Sequence, residues 1–358
     1  MNIVSIIGAR PQFIKAFPLS KALQENKHNE YLIHTGQHYD YKMSKIFFDE
    51  LSIPNPNLNL EVGSGTHAEQ TARMLTGIER ALLSESPDIV LIYGDTNSTL
   101  AGVLAASKLQ IPIAHVESGL RSFNLKMPEE VNRIIADSVS DILFAPTKTA
   151  VVNLLEEGKS KNSIFEVGDI MYDAALLASK SIKNADILKK HKLKEKEYIL
   201  STIHRAENTN TLGILSNIIK GLDYVGEKYP VIMPIHPRTK TIIDKHQLTK
   251  HISQIKFIEP VGYLEMLCLE KMAKLIVTDS GGVQKEAYFN KTPCVTLRGE
   301  TEWIELIESG WNTLCFPDSA EKILENVMKA MYREGSTEEN LYGSGDTALK
   351  IEKVLNSF

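Results

Sequence analysis

Short apolar runs alternate with helical patterns along the chain. The runs fall at 2–7 (NIVSII), 30–34 (EYLIH), 88–93 (DIVLIY), 112–116 (PIAHV) and 142–145 (ILFA). They continue at 164–167 (IFEV), 197–202 (EYILST), 231–235 (VIMPI), 255–258 (IKFI), 274–278 (KLIVT) and 293–296 (PCVT). Each is too short to read as a helix, and each predicts a strand of a buried parallel sheet. Helical spacing fills the gaps, for example over 65–84 and 99–108. The order β-α-β-α, run twice, predicts an α/β fold of two doubly wound parallel-sheet domains. Ligands in this architecture bind outside the carboxyl ends of the strands, so a cleft between the two domains is the expected site. The lysine-rich stretch 180–196 predicts a solvated helix and loop near the domain junction, and 347–358 (TALKIEKVLNSF) a closing helix.

Composition narrows the function. The 358 residues can supply two cores, and a net charge of −5 with a pI of about 6.1 lacks the basic footprint of a nucleic-acid binder. The three cysteines, Cys268, Cys294 and Cys315, form no C-x-x-C pair, which predicts a reduced, cytoplasmic protein. The segment MNIVSIIGAR has no basic residues before its apolar run and predicts a first strand rather than a signal peptide. No apolar run approaches the length of a membrane span.

Candidate chemistry gathers where the architecture places it. TDSGGVQKEA (278–287) reads as a strand end, a tight turn at Gly281 and Gly282, and a helix start. Unpaired N–H groups and the helix dipole favour an anion there. Ser280 adds a hydroxyl, and Glu286, one turn on, can accept from ribose hydroxyls. Phosphate and ribose contacts together predict a nucleotide. GARPQFIKAFP (8–18) sets Arg10 and Lys15 at the mouth of the first strand. It is not G-x-G-x-x-G, which counts against a bound NAD. GDTNST (94–99) places Asp95 where it could act in a site or cap the next helix. HVESGLRS (115–122) puts Glu117 at a strand end with no capping task in view, and MPEEVNR (127–133) opens a helix with two glutamates. STIHRAEN (201–208) and IHPRTK (235–240) each set a His and an Arg near a strand mouth: His204 with Arg205, and His236 with Arg238. Neither metal-ligand spacing nor a G-x-S-x-G elbow occurs, so neither a metal site nor a serine nucleophile is expected.

Taken in order, GARPQFIK, GDTNST, HVESGLRS, PEEVNR, HRAEN, HPR, EPVGYLE and TDSGGVQKEA resemble the non-hydrolysing UDP-N-acetylglucosamine 2-epimerases over nearly the whole chain. The resemblance implies the GT-B arrangement of two Rossmann-like domains. The first would cover 1–168, the second, binding UDP, 169–345, and a helix at about 346–358 would return to the first. It implies interconversion of UDP-GlcNAc and UDP-ManNAc by a homodimer that uses neither metal nor nicotinamide. Asp95, Glu117 and Glu129 would carry protons, with Lys15 and His204 supporting them or the leaving group. Arg10 and the Ser280–Gly282 turn would hold the diphosphate and Glu286 the ribose. Arg133, Arg205, His236 and Arg238 complete the implied UDP-sugar site.

Three departures accompany the match. Trp303 in TEWIEL replaces an arginine of the family pattern, Met266 stands at an aromatic position, and GQHYD (36–40) has Asp40 where substrate-activated members have a second glutamine. The last argues against an activating site. GARPQFIK and TEWIEL are closer to a branch that epimerises UDP-2,3-diacetamido-2,3-dideoxy-glucuronate. Rivals on the same fold are a GT-B glycosyltransferase, a hydrolysing epimerase and a UDP-sugar-binding regulator. Three acidic candidates exceed what a retaining transferase or a binder requires.

Overall fold

A computed structural model of the chain describes residues 1–37, 53–180, 182–250, 252–333, 335–336 and 340–358. The chain divides into two compact units, Met1–Ala178 with Asn340–Phe358, and Ser179–Glu339.

The first unit is built on a seven-stranded, all-parallel sheet in the order β3-β2-β1-β4-β5-β6-β7. The strands are β1 (Asn2–Ile7), β2 (Asn29–His34), β3 (Leu58–Asn59), β4 (Ile89–Tyr93), β5 (Ile113–Val116), β6 (Ile142–Ala145) and β7 (Ile164–Glu166). Its helices are α1 (Arg10–Glu25), α2 (His67–Glu85), α3 (Asn97–Lys108), α4 (Pro128–Val139), α5 (Lys148–Glu156) and α6 (Ile170–Ser179). The strand order turns outward in both directions from β1 and β4, so their carboxyl ends mark the topological switch point.

The second unit repeats this design with six parallel strands in the order β10-β9-β8-β11-β12-β13. These are β8 (Ile199–Thr202), β9 (Val231–Pro234), β10 (Ile255–Ile258), β11 (Leu275–Thr278), β12 (Cys294–Thr296) and β13 (Asn312–Leu314). Around them lie α7 (Asn184–His191), α8 (Ala206–Thr209), α9 (Leu212–Gly226), α10 (Pro237–Lys245), α11 (Tyr263–Met272), α12 (Gly281–Phe289), α13 (Ile304–Glu308) and α14 (Ala320–Ala330). Its switch point falls between β8 and β11.

The predicted class, two Rossmann-like parallel-sheet domains, is what the strand runs build. Successive strand residues feed opposite faces of the sheet. Ile199, Leu275 and Val277 join one apolar cluster with Leu215, Ile218 and Ile323 of the covering helices, whereas Leu200 and Ile276 join a second with Leu269, Val283 and Ala287. Full burial of such side chains contributes about 1.5–3 kcal/mol each, before the entropy of ordering them. Helix starts are capped locally: Thr66 accepts from Glu69 N–H at 3.3 Å while Glu69 accepts from Thr66 N–H at 2.9 Å, opening α2.

Two readings need correction. The stretch 180–196 is not solvated throughout, because Ile182, Ile187, Leu188 and Leu193 pack on the second cluster. Residues 169–178 and 340–345, assigned to the second domain on sequence, belong to the first unit. The C-terminal segment holds them there: Asp169 N–H donates to the Tyr342 carbonyl at 3.0 Å, and Asp173 accepts from Ala348 N–H at 2.8 Å. The last helix, α15 (Thr347–Ser357), lies against α1, with His28 Nε2 3.2 Å from Glu352.

Gly8 marks how tightly the first switch point is packed. A Cβ there would lie 2.0 Å from Thr35 Oγ1 and 2.2 Å from Ser98 Oγ. Gly8→Ala therefore forces β1, the end of β2 and α3 apart, and a loss of about 1–3 kcal/mol is expected in denaturant unfolding.

Candidate functional site

In the first unit the polar residues converge at the carboxyl ends of β1, β4 and β5. Gln12, buried in the first turn of α1, ties two of these ends together. Its Oε1 accepts from Gly8 N–H at 2.8 Å and Ala9 N–H at 3.1 Å. Its Nε2 donates to the Tyr93 carbonyl at 2.9 Å and Thr99 Oγ1 at 3.0 Å. One turn along, Lys15 points to the same place and forms an ion pair with Glu117. Both side chains are 9% exposed. Gly94 makes room for the pair: its φ is +60°, and a Cβ would lie 2.9 Å from Lys15 Nζ and 3.2 Å from Glu117 Oε2. Glu117 itself has φ +71°, an uncommon conformation for a residue with a side chain.

Asp95 does not cap α3. Thr96 does, its hydroxyl accepting from Thr99 N–H at 3.4 Å. The Asp95 carboxylate instead meets Arg133 of α4, with Nη2 at 2.8 Å and Nε at 3.0 Å. Arg133 also pairs with Glu130. Burial works against the guanidinium charge, but Asp95 and Glu130 outweigh it and raise the Arg133 pKa. Of the two glutamates opening α4, Glu129 is exposed and Glu130 fully buried. Arg10 lies exposed on the first turn of α1.

A buried network underlies these groups. His115 places Nδ1 2.7 Å from Asp137 Oδ1 and Nε2 2.8 Å from the Gly94 carbonyl. Asp137 also accepts from Gly119 N–H at 3.0 Å and pairs with Arg121 at 2.7 Å. Burial alone would raise the Asp137 carboxyl, yet His115, Arg121 and the Gly119 amide hold it below the usual carboxylate range. The network fixes the Gly94 turn, and so the direction from which Asp95 leaves β4. Gln12, His115, Glu130 and Asp137 escaped the sequence reading. Of these, only His115 carried a local signal, as the one polar position in the apolar run of β5.

In the second unit the centre is Asp279, fully buried at the end of β11. It accepts from the N–H groups of His204 (3.1 Å) and Arg205 (3.0 Å) and from Asn208 Nδ2 (3.1 Å), and lies 3.3 Å from His204 Nδ1. This carboxylate carries the HRAEN segment from β8 to the start of α12. His236 caps α10, its Nδ1 accepting from Arg238 N–H at 3.2 Å, and its ring lies 6.4 Å from that of His204. The Arg238 guanidinium donates to Asn210 Oδ1 at 2.7 Å. Ser280 stands at the N-cap of α12 without a side-chain cap bond, followed by Gly281 and Gly282, and Glu286 is buried further along the helix.

The wall over this helix start is made by Glu302 and Trp303. A Cβ on Gly281 would lie 2.7 Å from Glu302 Oε1 and 3.3 Å from Trp303 Nε1. Burial works against the Glu302 charge, but Arg298 at 2.7 Å and Arg205 at 3.6 Å hold its carboxyl below the usual range. Lys285 lies 4.3 Å from the centre of the Trp303 ring, a cation–π contact. Met266 is buried in the apolar cluster beside β11. His38 and Asp40 of the GQHYD segment lie outside the described residues. Among the described residues no group of three or more His, Cys, Asp or Glu could hold a metal ion, and no helix is long and apolar enough to cross a membrane.

Comparison with known proteins places the chain in a family. The sequence model of the family described as UDP-N-acetylglucosamine 2-epimerase matches residues 21–356. A UDP-N-acetylglucosamine 2-epimerase homolog of Methanococcus maripaludis is 54% identical, with all of both chains covered. The UDP-2,3-diacetamido-2,3-dideoxy-D-glucuronate 2-epimerase of Pseudomonas aeruginosa is 47% identical over 99% of each chain. Among solved structures, Methanocaldococcus jannaschii UDP-GlcNAc 2-epimerase in complex with UDP-GlcNAc and UDP superposes with a TM-score of 0.91 at 46% identity, covering both chains in full.

Proposed function

The chain belongs to the UDP-N-acetylglucosamine 2-epimerase family, and on that premise we propose that it interconverts UDP-GlcNAc and UDP-ManNAc. The supporting observation is the pair of ionic contacts at the ends of β4 and β5, where Arg133 holds Asp95 and Lys15 holds Glu117. Two carboxylates of this kind, each oriented by a cation, suit proton transfer at one carbon.

The chemistry follows from the sugar. The C2 hydrogen has no adjacent carbonyl, so elimination supplies the route. A carboxylate takes the C2 proton, the C–H electron pair becomes the C1–C2 double bond of a glycal, and the C1–O bond breaks with its pair leaving on UDP. Re-addition of UDP with protonation from the opposite face gives the epimer. Asp95, Glu117 and Glu129 carry the protons, and Lys15 and His204 support them or the leaving group. Arg10 and the Ser280–Gly282 turn receive the diphosphate, where amides and cations stabilise the departing charge. Arg205, His236 and Arg238 add cationic or polar contacts, and Glu286 accepts from the ribose. UDP thus belongs to the second unit and proton transfer to the first. The enzyme acts as a cytoplasmic homodimer.

A second substrate has a specific observation behind it. The relative acting on UDP-2,3-diacetamido-2,3-dideoxy-D-glucuronate is 47% identical and the solved UDP-GlcNAc 2-epimerase 46%, which leaves the two nearly equal. The mechanism is the same for either sugar.

Proton NMR of UDP-GlcNAc incubated with the enzyme in D2O tests the reading. Expected are UDP-ManNAc signals, deuterium at C2 in both epimers, and no free sugar. Free ManNAc would mean a hydrolysing enzyme, and release of UDP only with an added acceptor a transferase. An unchanged spectrum moves the test to the diacetamido-glucuronate substrate, and inertness toward both sugars overturns the proposal.

A further inference from the structure

The loop 122–127 enters α4 beside Asp95 and Arg133, and it contains a contradiction. Phe123 has φ +57°, a left-handed conformation that is an outlier for a bulky side chain. Its ring nevertheless gains no shelter there, being 80% exposed, and Leu125 in the same loop is 69% exposed. Strain of this kind persists only where the surroundings over-determine it, and it concentrates at ligand clamps and active sites.

What over-determines it is Glu130. This carboxylate is 0% exposed. It accepts from Ser122 N–H at 3.0 Å through both oxygens and from Phe123 N–H at 2.9 Å. The rest of the loop is tied internally: Lys126 N–H donates to Asn124 Oδ1 at 3.1 Å, and Met127 N–H to the Asn124 carbonyl at 2.9 Å. The same Glu130 pairs with Arg133, whose guanidinium holds Asp95 at 2.8 Å. One buried carboxylate therefore sets both the orientation of Asp95 and the place of an exposed aromatic ring.

Resting on the function proposed above, we propose that Phe123 is a substrate-contacting, specificity-determining residue whose ring forms a wall for the apolar face and acetamido group of the hexosamine, with Glu130 as the positioning residue that holds the wall and Asp95 in register. A sugar is the occupant that explains the linkage. A ring meant only to dock another protein gains nothing from being anchored by the carboxylate that also orients Asp95. An aromatic face also suits the C–H surface of a sugar ring while leaving its hydroxyls to polar groups.

Phe123→Gly tests the contact, because glycine accepts the positive φ without strain. The expected variant melts no lower than the parent and binds UDP alone as tightly, but its KM for the UDP-sugar rises by about tenfold, the scale of one lost aromatic contact. An unchanged KM overturns the proposal, as does a fall in UDP affinity that matches the rise in KM. A halved molecular mass in solution also overturns it and assigns the ring to an interface between copies of the chain. Glu130→Gln tests the positioning role. A lowered kcat with a displaced kcat–pH profile, partly restored in Glu130→Asp, is expected, and a lowered melting temperature with normal kinetics overturns that role. Should the parent protein turn over neither UDP-sugar, the function proposal fails by itself. Calorimetric affinities of parent and Phe123→Gly for UDP-GlcNAc against UDP then still decide the contact.

Discussion

Asp95→Asn and Glu117→Gln are each expected to lower kcat by about 10²–10⁴-fold, the range that a positioned proton-transfer group contributes, while UDP affinity stays near that of the parent. Both replacements keep size and shape and remove only the charge and the basicity. Asp95 is 30% exposed and Arg133 12%, so the pair can meet a substrate while the guanidinium still aims the carboxylate. Glu117 is less exposed and paired with Lys15, so its loss also leaves an ammonium without its counter-charge. Removing one partner of a buried pair costs up to about 3–5 kcal/mol, so thermal unfolding of Glu117→Gln has to accompany its kinetics. UDP binding, placed by the proposal in the second unit, reports separately whether that unit has kept its form. Full turnover in a folded Asp95→Asn or Glu117→Gln variant removes that residue from the reaction. Turnover lost in step with UDP binding would assign a structural role instead.

The strands were legible because strands of a parallel sheet are covered on both faces and read as unbroken apolar runs. Expected and observed limits of β1, β6 and β10 coincide. The two missed strands are short edge strands. Leu58–Asn59 and Asn312–Leu314 have too few apolar residues to stand out, and pairing to a neighbour rather than composition defines them. The candidate site was legible to the extent that topology dictates it, since doubly wound sheets present the residues that follow their strands. Asp95 and Glu117 follow β4 and β5 for that reason, and Arg133 of α4 and Lys15 of α1 reach them there.

What sequence could not supply is the pairing beneath the site. His115 and Asp137 are 22 positions apart, Arg121 and Glu157 36, and Asp279 and His204 75. Nothing local announces such partners. The two glutamates at the start of α4 show the limit at its smallest scale. Neighbouring helix residues point about 100° apart, and only the face that α4 turns to β5 decides which one is buried. Glu130, Arg133 and Asp137 share that face at spacings of three and four, and Glu129 does not. An amphipathic reading of α4 alone would not have separated them, because the buried stripe is itself polar.

Asp279→Asn is expected to be the most damaging single change in the second unit. The carboxylate is completely buried and receives backbone N–H groups from His204 and Arg205 together with the Asn208 side chain. An asparagine fills the same space but turns an N–H₂ group toward donors where a second acceptor oxygen had been. Each buried donor left without an acceptor costs about 1–3 kcal/mol. A loss near 3 kcal/mol lowers the melting temperature of a unit this size by roughly 6–12 °C. The damage is not only thermal. Asp279 lies between the HRAEN segment and the first turn of α12, so releasing it lets His204 and Arg205 move away from the Ser280–Gly282 amides at the site proposed for the diphosphate. UDP affinity should therefore fall together with stability, in contrast to Asp95→Asn, where UDP affinity holds and turnover is lost. Calorimetric titration of UDP into both variants separates the two units' tasks in one comparison. Parental melting and parental UDP affinity in Asp279→Asn would mean that the HRAEN segment is held by other contacts and that Asp279 is dispensable to the site.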